Sequence, residues 1–232
     1  MTIIQYPVGS DQQTSGYAKK EGLVRDISLQ ESFWKGSFGN EYTIRNQSDG
    51  IISANIALFS KILGSIKSDK VNSIVEFGSN TGQNLAAIHC LIPKAEIEAV
   101  EINEEAYKQL EKLEYVHAVN KSLYEYHAQR AFDLSIMKGV LIHQNPVMLN
   151  KAYDILYESS EKYVLIAEYY NPTPVEVEYR GNKSVLFKRD FCGDMLDRYS
   201  DLRLIDYGFV YHRDALFPQD DITWFLMRKC KA

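Results

Sequence analysis

The sequence predicts an α/β fold: a doubly wound, mostly parallel sheet with helices on both faces. Three observations carry this. From about residue 71, short buried-strand patterns alternate with helical patterns of the length that joins parallel strands. The first of these strands runs straight into a glycine-containing bend, and the last two β-rich runs have no helix between them. A chain of 232 residues with 45% hydrophobic and 25% charged residues has enough apolar material for one embellished domain, which excludes wholesale disorder.

Taken in order, residues 1–30 are polar, with little periodicity, and read as an N-terminal tail or lid. Residues 31–70 read as a helical cap. They hold the aromatic stretch QESFWKGSFGNEYTIRN, a turn signal at Asp49-Gly50, and then Ile52, Ile56, Phe59, Leu63 and Ile66 at the three- and four-residue spacing of an amphipathic helix ending at Asp69-Lys70. Residues 71–232 form the sheet domain. VNSIVEFG, AEIEAVEI, YVHAVN, FDLSIMKG and KYVLIAEYY are five strands, and GQNLAAIHCLI, NEEAYKQLEKLEY and VMLNKAYDILYES are helices, the second capped by Asn103. LRLIDYGFVYH and DITWFLMRK should pair antiparallel at one edge of the sheet. Between the fifth strand and this pair lies a polar, aromatic insertion at about 171–200.

A net charge of −5 argues against nucleic acid as the main partner. Three scattered cysteines without a CxxC argue against a disulfide framework or a thiolate zinc site and for a reducing compartment. The start lacks the basic and apolar regions of a signal peptide, and no run approaches a membrane span, so a soluble, cytoplasmic protein with no membrane partner is expected. Oligomeric state is not legible.

The most informative stretch runs Val75-Glu76-Phe77-Gly78-Ser79-Asn80-Thr81-Gly82-Gln83-Asn84. Glycines here let the chain turn and let a ligand approach the backbone at the carboxyl ends of the strands. The dinucleotide fingerprint GxGxxG needs a middle glycine, and that position is Asn80. No Lys-Ser/Thr pair follows Gly82, which removes the P-loop. Glu76 beside the bend suits an ammonium or sulfonium group better than a diphosphate. Glu101 ends the second strand 19 residues after Gly82, a position suited to binding both hydroxyls of a ribose, with Ile102 next to it. Together these features describe S-adenosylmethionine; an ordinary βα turn with a surface glutamate is the plain alternative.

The segment from about Glu31 to Lys229 resembles class I S-adenosylmethionine-dependent methyltransferases. More narrowly, it is similar to the methylases associated with pseudaminic acid biosynthesis, through FWKGSFGNEYTIRN, KGVLIHQNP, LIAEYYNPTPVEVEYRG with LFKRDF, and DYGFVYHRDALFPQDDITWFL. The resemblance implies a seven-stranded Rossmann-like sheet whose final strand is antiparallel, and methyl transfer onto a sugar-like metabolite. It also implies that Asn120, Ser122 and Leu123 cradle adenine and that Lys138 and Gly139 lie near the methyl group. Trp34, Tyr42 and Arg45 would close over the methionine end, Arg45 pairing with its carboxylate. Packing of the cap would equally explain Trp34 and Phe38, and a surface salt bridge would explain Arg45.

A sugar hydroxyl must shed a proton on methylation, whereas a carboxylate or phosphate oxygen need not. His143, in KGVLIHQNP, is the first candidate base and His212, in FVYHRD, the second; a backbone-bonded helix-start histidine is the alternative for His143. Tyr170 joins them as a catalytic candidate, and Tyr169 and Asn171 beside it as acceptor contacts. Arg180, Lys183, Lys188 and Arg189 cluster in an otherwise acidic chain, which suggests a small anionic sugar or sugar-nucleotide acceptor, although a solvated loop would carry such charges too. No acidic cluster follows the fourth strand, so no metal is expected. A nicotinamide-dependent oxidoreductase and a non-catalytic S-adenosylmethionine-binding partner protein are the rival functions.

Overall fold

Residues 27–45, 49–66 and 70–230 are described by the structure, a computed structural model, so the tail or lid expected at 1–30 lies outside it apart from its last four residues. Helices α1 (Leu29–Lys35), α2 (Ser37–Arg45) and α3 (Asp49–Gly64) come first. A reciprocal capping box starts α1: Ser28 Oγ accepts from the Glu31 amide at 3.2 Å and Glu31 Oε2 from the Ser28 amide at 3.1 Å. Gly36 separates α1 from α2. The Asp49-Gly50 pair, expected as a turn, instead opens α3; both residue types are also at home in a helix N-terminus, and local sequence does not separate the two uses.

The sheet domain follows as β1 (Ser73–Phe77), α4 (Gln83–Leu91), β2 (Glu96–Glu101), α5 (Glu104–Leu110), β3 (Val116–Asn120), β4 (Phe132–Lys138), α6 (Leu149–Glu158) and β5 (Ser160–Glu168). Then come a short hairpin of β6 (Val175–Glu176) and β7 (Phe187–Lys188), helix α7 (Phe191–Arg198), β8 (Leu202–Val210) and β9 (Ile222–Lys229). Seven strands form one sheet in the order β3-β2-β1-β4-β5-β9-β8. The first five are parallel, and β9 runs antiparallel between β5 and β8. The expected fold class is therefore the one observed. Helix α7 was not expected inside the polar insertion. It is eight residues long, contains Gly193 and buries only Phe191, Cys192 and Met195, too short a pattern to register as periodic.

All five residues of β1 are buried, as in a central parallel strand covered on both faces. Ile74 faces one core with Phe59, Ile62, Leu85, Ile88, Leu134 and Trp224, under α3 and α4. Val75 and Phe77 face the other with Met137, Tyr153, Leu156, Ile166 and Phe191, under α6 and α7. No helix among the described residues is long and apolar enough to cross a membrane.

Asn103 joins the cap to this sheet. Its Oδ1 accepts from the Ala106 amide at 3.0 Å, capping α5, while Nδ2 donates to the Trp34 carbonyl at 3.1 Å and to Asn40 Oδ1 at 2.7 Å. Gly39 makes this approach possible, because a Cβ there would sit 2.8 Å from Asn103 Nδ2 and 1.8 Å from the Trp34 carbonyl oxygen. Asn103→Ala should lower unfolding free energy by about 1–2 kcal/mol in urea titrations and shift the Trp34 emission as α1 loosens; an unchanged midpoint would mean that the link carries no stability.

Candidate functional site

Neighbouring crossovers leave the sheet in opposite directions at β1 and β4, and the crevice this creates at the strand carboxyl ends is where open α/β sheets bind ligands. A cavity of about 470 Å³ lies there, roofed by α1 and α2. Its floor is the bend after β1, where Gly78, Asn80 and Gly82 all have positive φ (69°, 46° and 81°). A Cβ on Gly78 would meet Val140 Cγ2 at 2.5 Å, so the bend can lie against the loop after β4 only as glycine.

Glu101 holds this bend in shape. Its Oε2 accepts from the Asn80 amide at 2.8 Å and its Oε1 from the Asn103 amide at 2.7 Å. Burial raises its pKa, and these backbone bonds oppose the rise. Asn80 is also tied to the roof, since the Thr43 hydroxyl lies 3.0 Å from both Asn80 Oδ1 and the Gly39 carbonyl.

Glu76 sits behind the bend, 1% exposed. Asn84 Nδ2 donates to its Oε1 at 2.7 Å, but Oε2 is buried without a partner. Burial pushes its pKa up to about 7 against the pull of Asn84, Lys138 and Ser79. Glu168, at the end of β5, repeats the arrangement: Oε1 accepts from the Val140 and Leu141 amides at 2.9 Å each, Oε2 has no partner, and burial pushes the pKa up to about 8. Lys138, at the end of β4, feels Glu76, Asp220 and Glu168; burial nevertheless lowers its pKa. The cavity can thus receive hydrogen-bond donors beside Glu101, while Glu76 lies behind the lining with one acceptor oxygen lacking a partner.

Thirteen of the expected residues line this cavity: Trp34, Tyr42, Gly78, Ser79, Asn80, Glu101, Ile102, Ser122, Leu123, Lys138, Gly139, His143 and His212. Trp34 packs edge-on to Phe38 and Tyr42 with centroids 5.5 and 5.2 Å apart, so it both fills the roof and faces the cavity, and its Nε1 is buried without a partner. Burial pushes the Tyr42 hydroxyl up to about 12, with Tyr179 and Asp220 adding to the rise and Arg180 and Arg45 opposing it. Gly82 lies just behind the lining as the N-cap of α4.

Other residues are placed elsewhere. Arg45 pairs with Glu41 at 3.3 Å on an exposed face of α2, with its guanidinium 5.5 Å from the Phe38 ring, so the surface salt bridge is its observed role. Tyr170 is 43% exposed, near the Phe225 ring, and does not line the cavity. Asn171 donates to the Thr173 carbonyl at 2.5 Å. Tyr169 lies behind the lining, hydrogen-bonded to Asp220, while Lys188 sits 5.1 Å over its ring. Arg189 pairs with Asp194 at 2.7 Å, and Lys183 is exposed. Arg180, at a hairpin tip with positive φ, stacks 5.8 Å from the Tyr179 ring. None of the four cations lines the cavity, and Arg180, Lys188 and Arg189 each have a different partner.

The two histidines differ sharply. His143 is buried, its Nδ1 lies 2.6 Å from the Val185 carbonyl, and burial pushes its pKa down to about 4, which makes it a poor proton acceptor near neutrality. His212 is exposed at the cavity mouth with its Nδ1 2.8 and 2.9 Å from the two Asp221 oxygens. The sequence reading missed Gln30, Glu31, Thr43, Asn84, Gln144, Gln219 and Asp220, which also line the cavity. Of these, Glu31 had a signal, the Ser28-x-x-Glu31 capping box; its Oε1 also accepts from Ser122 Oγ at 2.5 Å. Glu168 had one too, as the acid that ends a strand like Glu101.

No protein-family model and no curated protein sequence matches the chain. Solved structures do. The Burkholderia thailandensis 1,6-didemethyltoxoflavin-N1-methyltransferase, with 1,6-didemethyltoxoflavin and S-adenosylhomocysteine bound, superposes with a TM-score of 0.65 at 13% identity, over 90% of this chain and 94% of that one. A Leishmania major S-adenosylmethionine-dependent methyltransferase gives 0.64 at 14% identity, over 88% and 87%. The Synechocystis PCC 6803 magnesium protoporphyrin IX methyltransferase with bound S-adenosylmethionine gives 0.60 at 9% identity, over 89% and 100%. The chain has the class I methyltransferase fold.

Proposed function

We propose that this protein transfers a methyl group from S-adenosylmethionine to a small acceptor. The observation that carries the reading is the pair of buried carboxylates around the glycine bend, Glu101 facing the cavity and Glu76 with one oxygen lacking a partner. The residues present fit the cofactor, because a buried orphan acceptor needs a donor or cation and the cofactor's ammonium is one. The three superposed structures are methyltransferases, two of them with this cofactor or its product bound, which supports the same reading.

In this reading Glu101 holds the ribose hydroxyls, Ser122 and Leu123 flank the adenine, and Glu76 receives the ammonium. When bound, the cofactor supplies an electrophilic methyl group on a positively charged sulfur. Trp34 and Tyr42 roof that end against water, and Lys138 and Gly139 border the path to the acceptor. Rate comes mostly from holding the two reactants in line.

For the acceptor, the finer reading is a small anionic carbohydrate from the nonulosonic or pseudaminic acid pathway, or a related surface-glycan precursor. It rests on the sequence resemblance. Arg180 acts by its charge on the Tyr42 hydroxyl of the cavity lining, and Lys188 sits over the ring of Tyr169, which hydrogen-bonds Asp220 of that lining.

Isothermal titration with S-adenosylhomocysteine tests the cofactor assignment. Glu101→Gln, which keeps the shape of the side chain, should weaken binding by about 1.5–3 kcal/mol; equal affinity in a folded variant would count against the ribose role. A second test uses pH. Without ligand, Glu76 keeps its proton up to about pH 7, so the stability it contributes is lost as pH rises through that value. A bound ammonium favours the ionised form. Affinity should therefore rise between about pH 6 and 8 with release of up to about one proton, and Glu76→Gln should flatten the profile. A flat profile in the unmodified protein would separate Glu76 from the ligand.

A further inference from the structure

We propose that His212 is the general base of the methyl transfer, positioned by Asp221, and that the acceptor atom is consequently one that loses a proton: a hydroxyl or amine rather than a carboxylate or phosphate oxygen. This rests on the methyltransferase reading above and names the chemistry of its acceptor.

The pairing of β8 with β9 builds the geometry. Val210 ends β8 opposite Ile222, the first residue of β9. His212 and Asp221 lie just beyond that pair, on the two sides of the connecting loop. The His212 amide donates to Asp221 Oδ1 at 3.0 Å, and Nδ1 of the ring lies 2.8 and 2.9 Å from the two carboxylate oxygens. A carboxylate can only accept, so in the neutral ring the proton sits on Nδ1 and the lone pair is left on Nε2. His212 lines the cavity together with Gln219, Asp220 and Ile222, which puts the ring at the mouth, where an acceptor enters and a proton can leave to solvent.

Other titratable groups at or next to the lining are differently placed. Burial pushes His143 down to about 4, and its Nδ1 is committed to the Val185 carbonyl. Tyr42 is pushed up to about 12 and Tyr169 is raised by burial and Asp220, so neither phenol ionises near neutrality. Burial lowers the pKa of Lys138, and Glu76, Asp220 and Glu168 oppose the fall by favouring its charged form. Lys188 acts on Asp221 by its charge, and the Tyr211 ring lies 4.7 Å from that of His212.

In the step itself, the acceptor's oxygen or nitrogen forms its bond to the methyl carbon while the carbon–sulfur bond breaks and its electron pair returns to sulfur, leaving a neutral thioether. The acceptor's proton passes to Nε2 of His212. Asp221 balances the imidazolium until the proton is released to water. A carboxylate or phosphate nucleophile would need no such base.

Two measurements test the proposal. In histidine-labelled protein saturated with S-adenosylhomocysteine at about pH 8.5, where a free histidine is neutral, nitrogen NMR should show His212 protonated at Nδ1, and Asp221→Leu should move the proton to Nε2. An Nε2 proton in the unmodified protein would overturn the assignment. The second measurement supplies carbon-13 methyl-labelled S-adenosylmethionine and a small-molecule extract of nonulosonic-acid-producing cells. The product should be a methyl ether or methylamine, and His212→Gln should slow its formation by about 10²–10⁴-fold with unchanged S-adenosylhomocysteine affinity. A methyl ester, or an unaffected rate in His212→Gln, would overturn the base while sparing the methyltransferase. Failure to bind S-adenosylhomocysteine would remove the methyltransferase reading and the base with it.

Discussion

The Glu101 carboxylate is the constraint on which the site depends. One oxygen fixes the Asn80 amide in the glycine bend and the other fixes the Asn103 amide at the start of α5. Asn103 in turn carries the cap through Trp34 and Asn40, and Asn80 meets Thr43 from the same cap. A single buried side chain therefore sets the floor, the end of β2 and the height of the roof. Charge-assisted bonds to backbone amides are stronger than neutral ones, which is why one residue can serve as a hub.

Around that hub the strand ends collect buried carboxylates with unequal satisfaction. Glu101 has both oxygens bonded, whereas Glu76 and Glu168 each keep one oxygen without a partner. Burying an ionised group without full compensation is costly, and the raised pKa values of Glu76 and Glu168 express that cost. Lys138 lies between them as a partial counter-charge. Folding alone would be better served by apolar residues here, so the arrangement makes sense as a site prepared for a ligand.

The fold was legible because its signal is repeated. Five strand patterns, each set off by helices or loops, and a helix-free end leave few topologies open, and β1 leads into the glycine bend of Gly78 and Gly82 that floors the cavity. Cavity residues carried by the bend and by strand ends, such as Glu101 and Lys138, were readable because their place follows from the strand. Residues beyond the strand ends were not. Arg180 to Arg189 lie within ten residues, but their side chains take different partners, and no one-dimensional spacing reports that. The ranking of His143 above His212 is reversed in the proposal for a related reason. Burial decides whether an imidazole can take a proton, and burial of a residue just after a strand depends on the cap and on Val185, 42 positions away.

Placing β9 between β5 and β8 also bears on how the chain assembles during synthesis. Strand β8 emerges from the ribosome before β9, yet among the described residues β9 is its only neighbour in the sheet. Until the later strand arrives, β8 has no ladder to join, and the flank of β5 that will receive Trp224 and Leu226 stays uncovered. The nascent protein thus carries two unpaired strand margins at once, and a chaperone that shields such margins would act in the interval before Ile222–Lys229 slots home.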